Sequence, residues 1–342
     1  MSTLADRRRL VPDPGPLAEG DRRGGRLAYG PTAGLRVPAA RQGPGPISAA
    51  AVNALDPVIN RLVSRSLPGG RLAAGVGPGT ELAQLRPYEP GDDVRYLDPA
   101  ASARTGTMHV RLHVPERAMT SWIVLDLSAS MAFGTAGRLK ADVAEGVAAV
   151  IGRLGVRRAG SVGVVAWGGG RLRTLPPRGA KPALVALGAL LAAGVAPDAP
   201  EPAPRRSVPP QTHAVGLAEA LSRTLTLADR AGLIAVISDF RDEAGWERPL
   251  GALRLRHAVI AVEVEDPRER ELPNVGRLAV IDPETGELVR ANTASERLRR
   301  RFAALEAARR ERIAGELRRL QVRHVRLSTD ADWLAALGGG LR

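Results

Sequence analysis

The residues best placed to do chemistry lie in Leu125-Asp126-Leu127-Ser128-Ala129-Ser130-Met131. Asp126, Ser128 and Ser130 alternate at the end of an apolar run, so a strand turning into a loop presents all three on one side. A carboxylate and two hydroxyls are hard oxygen donors, suited to Mg²⁺ or Mn²⁺ rather than zinc. A second carboxylate, Asp239, follows the apolar run 233–238 and would face the same crevice if the two strands are neighbours. Two carboxylates and two hydroxyls do not fill an octahedron. The open position suits a carboxylate from another protein, giving a metal-bridged contact. The plainer use of the same residues is to cap the helix that follows.

Those residues need a sheet to hold them. The runs 121–127, 161–167, 233–238 and 258–264 are almost continuously apolar, as in parallel strands covered on both faces. Helical patterns separate them over 138–154, 181–195, 215–228 and 246–255. A hairpin over 277–290 turns on Pro283-Glu284-Thr285-Gly286, a long helix follows over 294–320, and a strand (322–327) and a helix (330–337) end the pattern. Strands alternating with helices predict a doubly wound, mostly parallel sheet, whose site lies at the C-terminal strand ends near the switch in strand order.

Ahead of this α/β region the spacing of Val52, Leu55, Ile59 and Leu62 predicts a helix over 47–67, closed by Pro68-Gly69-Gly70. Short strand-like pieces fill 71–115. Three segments result: an Arg/Gly/Pro-rich arm expected to lack structure (1–44), a small helix and strand module (45–115) and the α/β domain (116–342). Residues 197–210 hold six prolines and predict an extended loop.

The 342 residues are 44% hydrophobic and 25% charged, an ordinary globular composition, and contain no cysteine, which excludes disulfide scaffolds and thiolate chemistry. Net charge is +13, and only Lys140 and Lys181 are lysines, so 47 of the 49 basic residues are arginine. With this much Ala, Gly and Pro, that excess reflects base composition as much as a nucleic-acid partner. Aromatics at 3% leave little to stack on bases. The arm carries eight arginines against four acids, and residues 295–326 eleven arginines against four glutamates. Each basic face suits an acidic surface or lipid headgroups, or simply solvent. The N-terminus has no apolar core after its arginines. The longest uncharged apolar stretch, 182–197, has sixteen residues against the ~20 of a spanning helix. The expectation is a cytoplasmic protein, with attachment to a membrane surface as the variant.

Several motifs carry less. His109 and His113 share a strand face but sit ~13 Å apart, too far for one ion. His213 stands in the proline-rich loop. Gly75-Val76-Gly77-Pro78-Gly79 lacks both the preceding strand and the Gly-Lys-Ser/Thr of a phosphate loop. Ser128 lacks the flanking glycines of a hydrolase elbow, and it stands where an Asp-x-Asp phosphatase would have its second carboxylate.

Two patterns together resemble a known family. Asp126–Ser130, Met131 and the downstream Asp239 look like the metal-ion-dependent adhesion site of von Willebrand factor A-like domains. The segment Arg86-Pro-Tyr88-Glu-Pro90-Gly91-Asp92-Asp93-Val-Arg95-Tyr-Leu-Asp98, with Ser102 and Arg104 after it, resembles the signature of domain-of-unknown-function family 58. So do Phe133-Gly134 and Leu175-Pro-Pro-Arg178-Gly179. The resemblance covers roughly 45–342. It implies a von Willebrand A-like (Rossmann-like) fold and a metal-binding interaction protein rather than an enzyme. It also implies that the two serines bind the ion directly, that the aspartates act largely through water, and that a threonine from another loop completes the set. Val215 holds the threonine's place in the most direct register, and Thr212, three residues earlier, is the candidate. Pro99 stands where the family usually has tryptophan. The partner implied is a MoxR-type AAA+ ATPase offering an acidic side chain, in assembly or activation of other complexes.

Read physically, Pro90-Gly91-Asp92-Asp93 is a turn, and Arg95 and Arg104 are candidates for forked pairs with Asp92, Asp93 or Asp98. The signature is then either a clasp between the small module and the α/β domain or a partner-docking surface. Two rival functions remain: a Mg²⁺-dependent phosphoesterase using the same carboxylates, and a nucleic-acid or membrane binder using the basic helix.

Overall fold

The computed structural model describes residues 9–12, 42–66, 81–114, 119–135, 137–157, 159–196, 215–241, 245–281 and 288–342. The Gly75–Gly79 stretch, the proline-rich loop with Thr212 and His213, and the turn at 283–286 lie outside them.

The chain runs β1 (Arg9–Pro12), α1 (Ala49–Ser66), β2 (Glu81–Pro87), α2 (Pro99–Thr105), β3 (His109–Val114), β4 (Thr120–Asp126), α3 (Lys140–Gly155), β5 (Ser161–Gly168), β6 (Arg171–Gly179) and α4 (Ala180–Ala192). It continues through α5 (Leu217–Leu227), β7 (Leu233–Ser238), α6 (Glu247–Arg254), β8 (Ala258–Glu265), β9 (Arg277–Ile281), β10 (Leu288–Asn292), α7 (Glu296–Arg319), β11 (Arg323–Ser328) and α8 (Trp333–Leu341). The architecture is mixed α/β around a six-stranded sheet of order β11-β8-β7-β4-β5-β6. Every pair in it is parallel except β5–β6.

The continuous apolar runs become the four central strands because both faces of the sheet are covered. Ile123 and Leu125 of β4 face α1, α3, α4 and α8, while Trp122 and Val124 face α5, α6 and the second half of α7. This alternation buries every residue from Ser121 to Asp126. Helix α1 belongs to that covering layer. Its Val52, Leu55, Ile59 and Val63 join the same apolar cluster as Ile260 and Val325, so it is part of the α/β domain rather than of a separate module with β2 and β3.

Strand β6 had no counterpart in the sequence pattern. Gly169 and Gly170 both take positive φ, 58° and 70°, and turn the chain back tightly along β5. The prolines of β6 fall where its register against β5 shifts, between Val162–Arg178 and Val164–Leu175. An edge strand with a bulge tolerates two residues without an amide donor. Within the arm, Arg9–Pro12 pairs antiparallel with β9. The arm's last residues are also tied down. The amides of Gln42 and Gly43 donate to buried Asp142, and the Pro44 carbonyl accepts from Arg138 and from the Trp333 indole.

Helix α7 departs from the apolar face that the spacing of Leu298, Phe302, Leu305, Ile313, Leu317 and Leu320 predicts. Ile313 and Leu317 are buried, but Leu305 is 51% exposed. The inward positions one and two turns before Ile313 are Arg309 and Glu306, both buried. The sheet below supplies their partners, as follows.

Candidate functional site at the switch in strand order

From β4 the chain steps outward to β5 and β6, then returns to β7 on the other side of β4. The ends of β4 and β7 therefore flank the switch, the usual place for a site in such sheets. Past Asp126 the chain stays beside β5: the Leu127 amide donates to the Trp167 carbonyl at 2.8 Å. Gly168 permits this closeness, since a Cβ there would meet the Leu127 oxygen at 2.2 Å. A single 3₁₀ turn over Ala129–Ala132 follows, with the Met131 amide donating to the Ser128 carbonyl.

This turn gathers the expected triad. Asp126 Oδ1 accepts from both the Ser128 amide (2.9 Å) and the Ser128 hydroxyl (2.6 Å). The Ser128 and Ser130 hydroxyl oxygens are 3.0 Å apart. The group reaching Asp126 from β7 is Ser238, whose hydroxyl donates to Asp126 Oδ2 at 2.6 Å and accepts from the Phe240 amide at 3.0 Å. The sequence pattern places Ser238 with Asp239 at the strand end but gives the serine no role of its own. A hydroxyl one residue before the conspicuous carboxylate was the only signal available.

Asp239 is turned to other partners. Its Oδ2 accepts from the Lys140 ammonium at 2.7 Å, and its Oδ1 from the Arg241 amide at 3.1 Å. Lys140, fully buried at the start of α3, also bonds Glu269 Oε1 at 2.7 Å. Burial alone would lower the lysine's pKa, but Asp239 and Glu269 outweigh it and raise it above the ordinary value. Burial would likewise raise Asp239. The cations Lys140 and Arg241 instead hold its carboxyl well below the usual carboxylate range. The ion pairs continue outward. Arg241 meets Glu269 at 3.2 Å and Glu306 at 3.1 Å, Arg309 meets Glu306 at 3.1 Å, and Glu263 lies 4.0 Å from Arg309 and 2.9 Å from His324. That chain explains the charged interior of α7. Phe240 bridges the two systems with a positive φ of 51°, its ring packed edge-on against Trp246. Strain of this kind persists only where the surroundings over-determine it.

As a metal centre the donor set is divided. Two adjacent hydroxyls and the Asp126 carboxylate are hard donors that suit a small divalent ion. Asp239 is already neutralised by an ammonium group. No cluster of three or more Asp, Glu or His side chains suited to an ion occurs among the described residues. An ion would rest on Asp126, Ser128 and Ser130. Thr212 lies outside the described residues, and half-buried Val215 packs against the α5 side of the core.

The signature segment forms its own small unit on the β2–β3 hairpin. Pro90 and Gly91 sit at the centre of a turn closed by the Asp92 amide on the Glu89 carbonyl, with Gly91 at φ 112°. The acids pair differently from the expectation. Asp92 takes Arg86 at 2.6 Å and Asp98 takes Arg111 at 2.8 Å. Arg95 approaches Asp93 only at 3.9 Å with its side chain 86% exposed, and Arg104 is also exposed. Strand pairing explains this: β2 and β3 carry Arg86 and Arg111 alongside the turn, while Arg95 projects outward from a 3₁₀ turn that Asp93 caps. Asp98 also caps α2 through the Ala101 amide. With Arg111 as the larger cause, its pKa falls to about 2. Ser102 donates to the Asp98 carbonyl and accepts from the His109 amide, and the Tyr88 amide donates to Met108. These bonds run within 86–111, so the signature braces its own hairpin.

Residues 84–312 match the family model described as protein of unknown function DUF58, a span holding both the signature and the serine cluster. The chain belongs to the DUF58 family. It is 36% identical over 290 residues to uncharacterised proteins of Mycobacterium tuberculosis and Mycobacterium bovis, covering 85% of this chain and 87% of each of those. A Mycobacterium avium protein is 43% identical over 106 residues, 31% of this chain and 62% of that one. Among solved structures, a conserved hypothetical protein BatB from Bacteroides thetaiotaomicron aligns over 66% of this chain and 97% of its own, at 12% identity and TM-score 0.37. An aerotolerance-related membrane protein from Bacteroides fragilis aligns over 66% of this chain and 98% of its own, at 13% identity and TM-score 0.36. In this DUF58 chain no helix among the described residues is long and apolar enough to cross a membrane.

Proposed function

We propose that this DUF58 protein is a protein-interaction module of von Willebrand A-like type, and that its docking point is the Asp126–Ser128–Ser130 cluster. One divalent ion, Mg²⁺ or Mn²⁺, rests on the cluster and accepts a Glu or Asp side chain from the partner. The partner suggested by the family is a MoxR-type AAA+ ATPase. The observation that carries this reading is the pair of hydroxyl oxygens 3.0 Å apart, held by Asp126 at the end of β4 beside the strand switch. A non-enzymatic role is favoured by Asp126 itself. Its oxygens accept from Ser128 and from Ser238, which suits orienting ligands better than abstracting a proton.

Calorimetric titration of Mg²⁺ and Mn²⁺ into wild type, Ser128→Ala/Ser130→Ala and Asp126→Ala tests the proposal. Stoichiometric binding to wild type that disappears in both variants supports it, and should be accompanied by Mg²⁺-dependent, EDTA-reversible capture of the ATPase. Binding that persists in the double-serine variant would overturn the site. Asp126-dependent turnover of a generic phosphoester would overturn the non-enzymatic role.

A further inference from the structure

We propose a second site, remote in kind from the serine cluster: the cavity between α1 and the start of β11 binds a small organic phosphate. The cavity has a volume of about 550 Å³, within the range of small-ligand sites. Arg61, Arg65, Arg323 and Arg342 line it over an apolar floor of Leu62, Val322 and Leu341, and no Asp or Glu side chain is among the described residues that line it.

Two features distinguish this group from the general arginine excess, and a third leaves it available to a ligand. First, the convergence is built. Arg61 and Arg65 are one turn apart on the same face of α1, and Arg323 comes from a strand about three quarters of the chain away in sequence. Second, the rim is braced. Arg254 donates to the Ser66 carbonyl at 2.9 Å and to the Gln321 carbonyl at 3.1 Å, tying the end of α1 to the turn before β11. Third, charge is left over. On α7 the exposed Arg300, Arg318 and Arg319 find acidic neighbours: Arg300 meets Glu296 at 2.6 Å, Arg318 meets Glu311 at 2.5 Å and Arg319 meets Glu316 at 2.6 Å. Among the described residues neither Arg65 nor Arg323 has an ion pair, and Arg61 donates only to its own helix, at the Pro57 carbonyl.

Like charges gathered over an apolar floor repel one another until an anion joins them. Guanidinium forks match phosphate oxygens two at a time, and among the described lining residues no Asp or Glu side chain competes for them. The floor gives a flat or apolar moiety a surface to cover, so the ligand class is a phosphate ester with an organic part rather than free phosphate.

The test uses the full chain with two probes, ADP and inorganic pyrophosphate, by calorimetry at ~0.15 M salt, where surface charge is screened beyond about 8 Å. Three proteins are compared: wild type, Arg65→Ala/Arg323→Ala and the control Arg300→Ala/Arg318→Ala on α7. Each variant removes two positive charges from exposed positions, and an unchanged unfolding temperature confirms that both fold. The expected result is saturable ADP binding by wild type and control, weakened roughly tenfold or more in the cavity variant, with ADP preferred to pyrophosphate. The proposal is overturned by no saturable binding of ADP at millimolar concentration, by equal weakening in both variants, or by pyrophosphate binding as tightly as ADP.

Discussion

Replacing Lys140 by methionine isolates the interaction that separates Asp239 from the serine cluster. Lys140 is fully buried, with its ammonium 2.7 Å from Asp239 Oδ2 and 2.7 Å from Glu269 Oε1. Glu269 keeps Arg241 at 3.2 Å when the lysine is gone. Asp239 keeps the Arg241 backbone amide and loses its direct ionic partner. Removing one member of a buried ion pair typically costs about 3–5 kcal/mol, because the remaining charge is stranded away from water. For a chain of this size that corresponds to a fall in Tm on the order of 10 °C. Adding Asp239→Asn removes the stranded charge, so the double variant should regain about 2 kcal/mol or more of the loss, the range of coupling between touching residues.

The pH dependence has a definite sign. In wild type Asp239 is depressed and Lys140 raised. The aspartate's contribution is present above ~3.9 and lost as pH falls through its depressed folded value. The lysine's is present below ~10.4 and lost as pH rises through its raised folded value. Neither titrates between pH 5 and 8. In Lys140→Met, burial pushes the Asp239 carboxyl up from its wild-type position, opposed by the remaining Arg241 cation, so protonation relieves part of the penalty. The deficit relative to wild type, measured by urea unfolding, should narrow from pH 8 to pH 5. A deficit below ~1 kcal/mol, or one that widens on acidification, would refute the reasoning.

Two further outcomes follow from the geometry. Gly168→Ala would push a methyl into the Leu127 carbonyl, 2.2 Å from an ideal Cβ. It should displace the segment carrying Ser128 and Ser130, weakening Mn²⁺ binding by calorimetry, whereas Gly188→Ala, with open space around it, should leave binding intact. Asp98→Asn should loosen the signature hairpin alone. Amide exchange over 86–111 should quicken at neutral pH while the central sheet keeps its protection, and wild type should show the same local loosening only as pH falls from ~4 through about 2. Uniform exchange across the chain would count against the hairpin as a self-braced unit.

Much of the fold was legible because it depends on local pattern. The runs 121–127 and 233–238 became β4 and β7 with bounds shifted by one residue or not at all, since a strand covered on both faces leaves an unbroken apolar signature. The serine cluster was legible for a related reason. Its three residues lie within five positions of one another, and the local 3₁₀ turn after β4, in place of the expected strand alternation, brings Ser130 to Ser128 without help from elsewhere. Strand β6 was hidden by Pro176 and Pro177, which argue against a strand until the edge position and the bulge are known.

Pairing was the other limit. Arg86 and Arg111, rather than Arg95 and Arg104, meet the signature's acids because the β2–β3 register carries them there. Ser238, rather than Asp239, meets Asp126, because alternate strand residues point to opposite sides and Lys140 claims the next one. Glu306 and Arg309 point inward on α7, where period alone would favour Leu305, because Arg241 and Glu263 wait beneath them.

The central parallel strands and the helices between them, the two covered faces and the local Asp-x-Ser-x-Ser cluster were determined by the sequence itself, through short-range periodicity and backbone preference. Which charge neutralises which was decided by the tertiary structure alone. The energy of an ion pair depends on separation and burial. Lys140 and Asp239 reach 2.7 Å across ninety-nine positions of the chain only when α3 and β7 are packed on the same sheet.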